Sequence, residues 1–140
     1  MKFKTQAHVT YKCRYHIIWI PKYRRKTLVA GVSQYFEKVM DTVIATRYPD
    51  VVVLERSVLP DHVHIFIEIP PKYAVSKIVG DIKANTARMM RKRFGYLARS
   101  NEMWSIGYFV STVGTNEGII KKYIQNQEKQ DTGRSEIVLG

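Results

Sequence analysis

The chain has 140 residues, of which 45% are hydrophobic, and this length and composition predict a single folded domain. They exclude a disordered chain, and the short, interrupted apolar runs exclude a membrane span. The net charge of +11 favours a polyanionic partner such as nucleic acid, although a solvated basic surface is the ordinary alternative. The lone Cys13 excludes an internal disulfide and is compatible with a reducing cytoplasm.

Hydrophobic periodicity predicts seven secondary-structure elements along the chain. Strands are predicted over 11–20, 51–58, 62–69 and 107–113, and helices over 33–48, 74–94 and 116–130. In the first strand Tyr11 and Lys12 begin an apolar–polar alternation, and Ser33 is a plausible N-cap of the first helix. We expect one domain over 1–130 and a short, loose polar tail over 131–140.

The predicted order β-α-β-β-α-β-α is that of an α+β fold. It predicts an antiparallel, ferredoxin-like sheet, similar to the RNA-recognition motif, with an extra C-terminal helix. In such a fold both crossover helices cover one face of the sheet. The other face is open, and nucleic acid binds there in the related RNA-recognition fold.

Two histidines lie one residue apart in the third predicted strand. Side chains alternate along a strand, so His62 and His64 point to the same face, about 7 Å apart along the backbone. Imidazoles at this separation can bind one metal ion, although such a pair is also common as polar decoration of an exposed face. A metal site needs a third ligand, and His16 is expected either to bind the metal or to buttress a histidine through a hydrogen bond.

The last predicted helix carries Tyr123 and Gln127 four residues apart, on one helical face. A tyrosine there commonly packs and a glutamine commonly faces solvent. Combined with a metal on an open face and a basic domain, however, the pair favours phosphodiester cleavage by a tyrosine nucleophile. The resulting phosphotyrosine conserves the bond energy, so a strand could be cut and rejoined without ATP.

At these residues the chain resembles the small insertion-sequence transposases of the HUH, single-tyrosine class, the IS200-like family. "HVH" at 62–64 is similar to their paired-histidine motif, and "YIQNQ" at 123–127 is similar to their catalytic tyrosine with a metal-binding glutamine one turn later. "YHIIWIPKYRRK" at 15–26 and "GYFVSTVG" at 107–114 also resemble characteristic stretches of the family. The resemblance covers about 11–127, nearly the whole domain.

The resemblance implies a metal-dependent DNA transposase in which Tyr123 is the nucleophile and His62, His64 and Gln127 bind Mg²⁺ or Mn²⁺. It further implies a homodimer with merged sheets, in which the tyrosine helix of one subunit serves the histidine pair of the other. The expected partner is single-stranded DNA with hairpin ends, with no membrane and no nucleotide cofactor. The expected location is the cytoplasm of a prokaryotic cell, where the protein would act on DNA.

Several residues are candidates for contacts with DNA, although each could equally belong to an ordinary solvated surface. They are Arg14, Lys22, Tyr23, Arg24, Arg25, Lys83, Arg88 and Arg91. Tyr23 is included because its ring could stack on an unpaired base, or simply pack.

Three other functions stay open at this stage. A non-catalytic module that binds single-stranded nucleic acid would be indifferent to metal and form no covalent adduct. A replication initiator or relaxase of the HUH class would share the chemistry, but usually in a longer chain. A metal-dependent hydrolase would use water and would not trap DNA.

Overall fold

The structure, a computed structural model, describes residues 5–6, 9–10, 13–99 and 102–133. A minor antiparallel pair is formed by β1 (Thr5–Gln6) and β2 (Val9–Thr10). The main elements are β3 (Arg14–Trp19), α1 (Ala30–Arg47), β4 (Val52–Leu59), β5 (His62–Glu68), α2 (Val75–Arg93), β6 (Phe109–Ser111) and α3 (Glu117–Thr132). Within the described part of the chain, no helix has the length and apolar character needed to cross a membrane.

The main strands form one four-stranded sheet in the order β4-β5-β3-β6, and every neighbouring pair is antiparallel. Helix α1 connects β3 to β4, and α2 connects β5 to β6. The predicted α+β class, the antiparallel sheet and the extra C-terminal helix are therefore confirmed. The strand that carries the histidines lies inside the sheet, paired on both edges.

The main core lies between the sheet and helices α1 and α2. The alternating side chains Val63, Ile65 and Ile67 of β5 are fully buried there. The helices contribute residues at helical spacing, such as Phe36 from α1 and Ile82 from α2, because an amphipathic helix buries one stripe against a sheet. The histidines of β5 therefore lie on the opposite face of the sheet.

The opposite face is only partly open, which corrects the expectation of a bare surface. Ile18 and Ile20 lie on that face and are fully buried, although they are outside the core formed with α1 and α2. The ring of Phe109, which is paired with Ile18 across β6 and β3, contacts the ring of Tyr123 in α3. Helix α3 thus covers the β3–β6 half of the face and leaves the β5–β4 half accessible.

Several element boundaries differ from the predictions. Helix α1 begins at Ala30, so Ser33 lies in its first turn, where its hydroxyl donates to the Ala30 carbonyl; the predicted N-cap is wrong. Helix α3 continues to Thr132 and ends at Gly133 in the left-handed conformation. The predicted strand positions Tyr11 and Lys12, and tail residues 134–140, lie outside the described residues. The division into a domain over 1–130 and a tail stays a prediction.

We predict that Phe36→Ala destabilises the fold. Phe36 is fully buried, and its ring contacts the rings of Trp19 and Trp104. Truncation leaves a cavity, so the free energy of unfolding should fall by about 3–5 kcal/mol in urea denaturation. The control is Tyr96→Ala, which truncates an aromatic ring that is 54% exposed and should cost far less. Equal losses for the two variants would contradict this assignment of the core.

Candidate active site

His62 begins β5 directly after the turn at Pro60–Asp61, and its ring is oriented by the preceding residue. The Nδ1 atom of His62 lies 2.9 Å from Oδ1 of Asp61. An ionised carboxylate only accepts hydrogen bonds, so Nδ1 carries the proton and donates it. The lone pair of this imidazole is therefore on Nε2, the nitrogen that a metal ion would use.

Asp61 is held ionised by two hydrogen-bond donors. Burial works to raise the pKa of its carboxyl, but the hydrogen bonds from His62 and Arg24 outweigh burial, so the pKa lies below its ordinary value. The two donors contact different oxygens of the carboxylate, since Arg24 Nε is 3.0 Å from Oδ2. Asp61 thus fixes the ring of His62 and is itself fixed by Arg24.

His64, two residues along β5, is supported by a third histidine on the neighbouring strand. His16 Nδ1 and His64 Nε2 are 3.1 Å apart, and the His16 ring also stacks on Phe66 at 4.4 Å between centroids. The expected buttressing hydrogen bond between His16 and His64 is therefore present, and His64 keeps a lone pair for a metal when its Nε2 is the donor in this bond. Burial lowers the pKa of His64, and the neighbouring His16 and His62 lower it further, while Glu55 raises it. His64 is therefore neutral near neutral pH, as a metal ligand must be.

Tyr123 lies on α3 with its hydroxyl turned into the protein. The Tyr123 Oη atom is buried, and among the described residues it has no hydrogen-bond partner. Burial raises the pKa of the phenol above its ordinary value, and the negative charge of Asp131 raises it further. A buried, unpaired hydroxyl costs free energy, so packing alone does not explain a tyrosine at this position.

The pairing register places Tyr123 near the histidines but not against them. Phe109, Ile18 and His64 form one row across β6, β3 and β5 on the same face of the sheet. Two strand spacings separate Phe109 from His64, which amounts to about 10 Å between their Cα atoms. Because the Tyr123 ring contacts Phe109, it lies over the outer strand and not over the histidine pair.

Gln127 occupies a different position in the same helix. Its Nε2 atom donates to Ser105 Oγ and to the Ile106 carbonyl oxygen, both at 2.8 Å. These contacts dock α3 on the segment that precedes β6. His62 and His64 are thus together on β5, whereas the amide nitrogen of Gln127 is bound to that segment, outside the histidine pair.

The donor atoms suit a divalent metal ion in part. His62 has an oriented ring with a lone pair at Nε2, and the lowered pKa of His64 keeps its ring neutral. Within the described ranges, no group of three or more histidine, cysteine or acidic residues could hold a metal ion by itself. Two imidazoles therefore need further oxygen ligands, and an amide such as that of Gln127 or a phosphate of DNA could supply them.

The predicted DNA contacts fall into two groups. Lys22, Arg24 and Lys83 are engaged within the protein, whereas Tyr23, Arg25 and Arg88 are exposed. Lys83 lies on the helical side of the sheet and donates to the carbonyl oxygens of Ser105 and Gly107. Burial lowers the pKa of Lys83 to about 8, although the negative charge of Asp131 works to raise it. Arg14 forms an ion pair with Glu68 at 3.1 Å, and Arg91 is half-buried on α2.

Tyr23 and Arg25 form the best-placed exposed group for nucleic acid. The Arg25 guanidinium lies 5.0 Å from the centroid of the Tyr23 ring, and the ring is 42% exposed. A cavity of about 520 Å³ beside them is lined by two further cations, Lys22 and Lys26, and by Glu102. An aromatic ring flanked by cations is typical of surfaces that bind single strands.

Sequence reasoning missed the polar residues that position the site. Asp61 is not among the predicted site residues, although an acidic residue directly before a histidine pair is a usable signal. Asp131 was placed in a loose tail, yet it accepts from the Tyr23 backbone N–H and from the Ser105 hydroxyl. Ser105 lies in a segment without a regular element, so no periodic pattern indicates it.

Comparison with known protein sequences identifies the family of this chain. The family described as "Transposase IS200 like" matches residues 9–127. The transposase for insertion sequence element IS200 from Salmonella typhimurium is 35% identical over 131 residues, covering 91% of this chain and 85% of that protein. The ISDra2 transposase TnpA from Deinococcus radiodurans is 29% identical over 135 residues, covering 94% of this chain and 95% of that protein.

Solved structures give the same result for the fold. A crystal structure of a protein from Deinococcus radiodurans R1, described as a transposase, superimposes with a TM-score of 0.80 at 30% identity, covering 91% of this chain and 98% of that chain. A REP-associated tyrosine transposase bound to a REP hairpin superimposes with a TM-score of 0.57 at 13% identity, covering 93% of this chain and 74% of that chain. The second likeness concerns the fold alone.

We predict that acid destabilises the metal-free protein through His64. The pKa of His64 lies below its ordinary value of 6.5, so the unfolded chain takes up a proton before the folded chain does. Stability is therefore unaffected above pH 6.5 and falls as the pH drops from 6.5 towards the folded pKa, by less than about 1.4 kcal/mol per pH unit, because solvent screens this partly exposed ring. Urea denaturation of wild type and His64→Gln across this range measures the difference. Parallel curves for the two proteins would contradict the prediction.

Proposed function

This chain belongs to the IS200-like transposase family, and we propose that it cleaves and rejoins single-stranded DNA with Tyr123 as the nucleophile. The observation that carries the proposal is the buried Tyr123 hydroxyl, which lacks a partner among the described residues and lies on the face of the sheet that bears the histidine pair. Such a hydroxyl disfavours the fold and has a chemical use that explains its presence.

In the proposed reaction the Tyr123 oxygen attacks the phosphorus of one phosphodiester. The new O–P bond joins the tyrosine to the 5′ phosphate, while the bond from phosphorus to the 3′ oxygen breaks. The phenol loses its proton to solvent, and the departing 3′ oxygen gains one. In the reverse step a free 3′-hydroxyl attacks the phosphotyrosine and restores a phosphodiester, so no ATP is needed.

His62, His64 and Gln127 are the residues that would hold a divalent ion, Mg²⁺ or Mn²⁺. Such an ion, when bound, supplies Lewis-acid polarisation of the phosphate. The contribution of the protein is orientation: Asp61 fixes the ring of His62, and the hydrogen bond with His16 fixes the ring of His64. A ligating role for Gln127 requires that its side chain leave Ser105 and Ile106.

The arrangement of α3 seen here is best understood as a resting arrangement. Burial raises the pKa of the Tyr123 phenol, which keeps the group protonated and a poor nucleophile. About two strand spacings also separate its ring from the histidines. We therefore infer that α3 moves before cleavage, and that in a homodimer with merged sheets the tyrosine helix of one subunit serves the histidine pair of the other.

The proposed substrate is single-stranded DNA with hairpin ends. The net charge of +11 and the exposed Tyr23–Arg25 group suit a single strand, and the tyrosine transposase with a similar fold was solved bound to a hairpin. A sheet face that is accessible beside the histidines leaves room for the scissile phosphate.

We predict that the protein forms a covalent adduct with DNA. Wild type incubated with Mg²⁺ and labelled single-stranded insertion-sequence ends should give a shifted band on a denaturing gel. Tyr123→Phe removes the nucleophile and His64→Ala removes a ligand, so both should abolish the band. A band that survives in Tyr123→Phe, or no band in wild type, would refute the assignment; metal-dependent cleavage without a band would indicate a hydrolase.

The folding control for Tyr123→Phe is unusually informative. Because the buried Oη atom has no partner among the described residues, its removal should leave thermal stability unchanged or raise the free energy of unfolding by about 1 kcal/mol. Loss of the adduct in a variant at least as stable as wild type separates chemistry from folding. A marked loss of stability would show that the hydroxyl serves the fold.

We predict that the tyrosine acts in trans. Neither Tyr123→Phe nor His64→Ala should cleave DNA alone. A heterodimer formed by mixing the two variants has one complete site, with the histidine pair of the Tyr123→Phe subunit and the tyrosine of the His64→Ala subunit. Mixing should restore up to about a quarter to a half of wild-type cleavage, depending on how many dimers are mixed. A dimeric mixture that regains no activity would show that each tyrosine serves its own subunit.

A further inference from the structure

We propose that Arg24 is a positioning residue that couples the docking of α3 to the orientation of His62. The proposal rests on the proposed function only in taking His62 as a metal ligand and α3 as the helix that delivers Tyr123. Arg24 itself was expected from the sequence to contact DNA. In the structure its guanidinium instead joins two carboxylates from distant parts of the chain.

One arm of Arg24 holds the tyrosine helix. Its Nη1 atom lies 3.1 Å from Oε1 of Glu128, which is five residues after Tyr123 on α3. The neighbouring backbone adds to this arm, because the N–H of Tyr23 donates to Oδ2 of Asp131 at 2.9 Å. The segment Lys22–Arg24 is therefore one polar contact of α3 with the rest of the protein, alongside the contacts of Gln127 and Asp131 with Ser105 and Ile106.

The other arm of Arg24 reaches the histidine pair. Its Nε atom lies 3.0 Å from Oδ2 of Asp61, and the second oxygen of that carboxylate accepts from His62. The chain of contacts Glu128–Arg24–Asp61–His62 thus connects α3 to the first residue of β5. A guanidinium suits this place because its planar fork can donate to two carboxylates at once.

The backbone around Arg24 indicates that this geometry is built in. Tyr23 and Arg24 both have positive φ, at 60° and 56°, a region that residues other than glycine rarely adopt. Such conformations persist where the surrounding contacts determine them, and they cluster at functional sites. Here the backbone turn brings the Tyr23 N–H to Asp131 and the Arg24 side chain between Asp61 and Glu128.

The consequence is a linkage between two events. When α3 leaves its resting position, Arg24 loses Glu128 and with it one of the two contacts that fix its guanidinium, so Asp61 and the ring of His62 are held less firmly until a phosphate oxygen replaces the lost carboxylate. Conversely, any change that frees Asp61 removes one of the two contacts that fix Arg24 for docking of α3. Coupling of this kind is reciprocal, so each arm should respond to a change in the other.

The decisive experiment measures docking of α3 after a change on the histidine side. Hydrogen exchange of the backbone amides of α3 is followed in metal-free, DNA-free full chain. Asp61→Asn removes the carboxylate and should speed exchange in α3 by roughly fivefold, as typical coupling energies predict. The matched control, Asp50→Asn, removes a carboxylate that pairs with Lys72 and should leave exchange in α3 unchanged.

The reciprocal experiment measures the metal site after a change on the helix side. Glu128→Gln should weaken Mn²⁺ binding in calorimetry by roughly fivefold, whereas Glu117→Gln removes the same charge at the other end of α3 and should not. Asp61→Asn should weaken binding by about tenfold through direct loss of orientation of His62. Arg24→Gln should produce both the faster exchange and the weaker binding.

The outcomes separate the two proposals. The coupling is overturned if the amides of α3 exchange at the wild-type rate in Asp61→Asn. It is also overturned if Asp50→Asn speeds exchange in α3 as much as Asp61→Asn does. If Arg24→Gln weakens only DNA binding, Arg24 is a phosphate contact and the coupling also fails. If wild type binds no Mn²⁺ or forms no adduct, the proposed function fails in that respect, while exchange in α3 still decides the coupling.

Discussion

Consecutive side chains of a β-strand point to opposite faces, and the whole protein is arranged around this constraint in β5. On one face Val63, Ile65 and Ile67 are fully buried against two helices, and on the other face His62 and His64 remain partly accessible. A shift of one residue in the register would exchange the two sets and destroy core and site together. Pairing of β5 on both of its edges makes such a shift costly.

On the second face of the sheet, the β5–β4 half is accessible. The β3–β6 half is covered by α3, which is held largely through polar contacts. Of the residues of α3, Ile124 is buried, while Gln127, Glu128 and Asp131 provide hydrogen bonds to neighbouring segments. The Arg24–Glu128 ion pair is partly exposed and contributes little to stability, whereas the Asp131 carboxylate is buried. Detachment of α3, which the proposed mechanism requires, therefore costs the Asp131 contacts above all.

The features that appear in the sequence as a periodic pattern were predicted. The features that depend on contacts between distant segments were missed. Alternation in 62–69 identified both the core and the histidine pair, whereas the continuous apolar run at 17–20 was not recognised as a sign that β3 is buried on both faces. Covering of Ile18 by α3 is a tertiary effect. Likewise Arg24 looked like one surface cation among several, because nothing local indicates that its partners are Asp61 and Glu128.

The polar attachment of α3 has a consequence for the conditions under which the protein could cleave DNA of its host cell. Arg24 and Lys22 hold carboxylates of this helix, and a polyanion such as DNA competes for those cations. The proposed substrate is itself such a polyanion. In the proposed mechanism the tyrosine stays withdrawn and its phenol protonated without a DNA strand, and the same cations exchange their partners when a strand binds. Binding of the substrate would thus be required before the reaction, which would limit unwanted cleavage of chromosomal DNA.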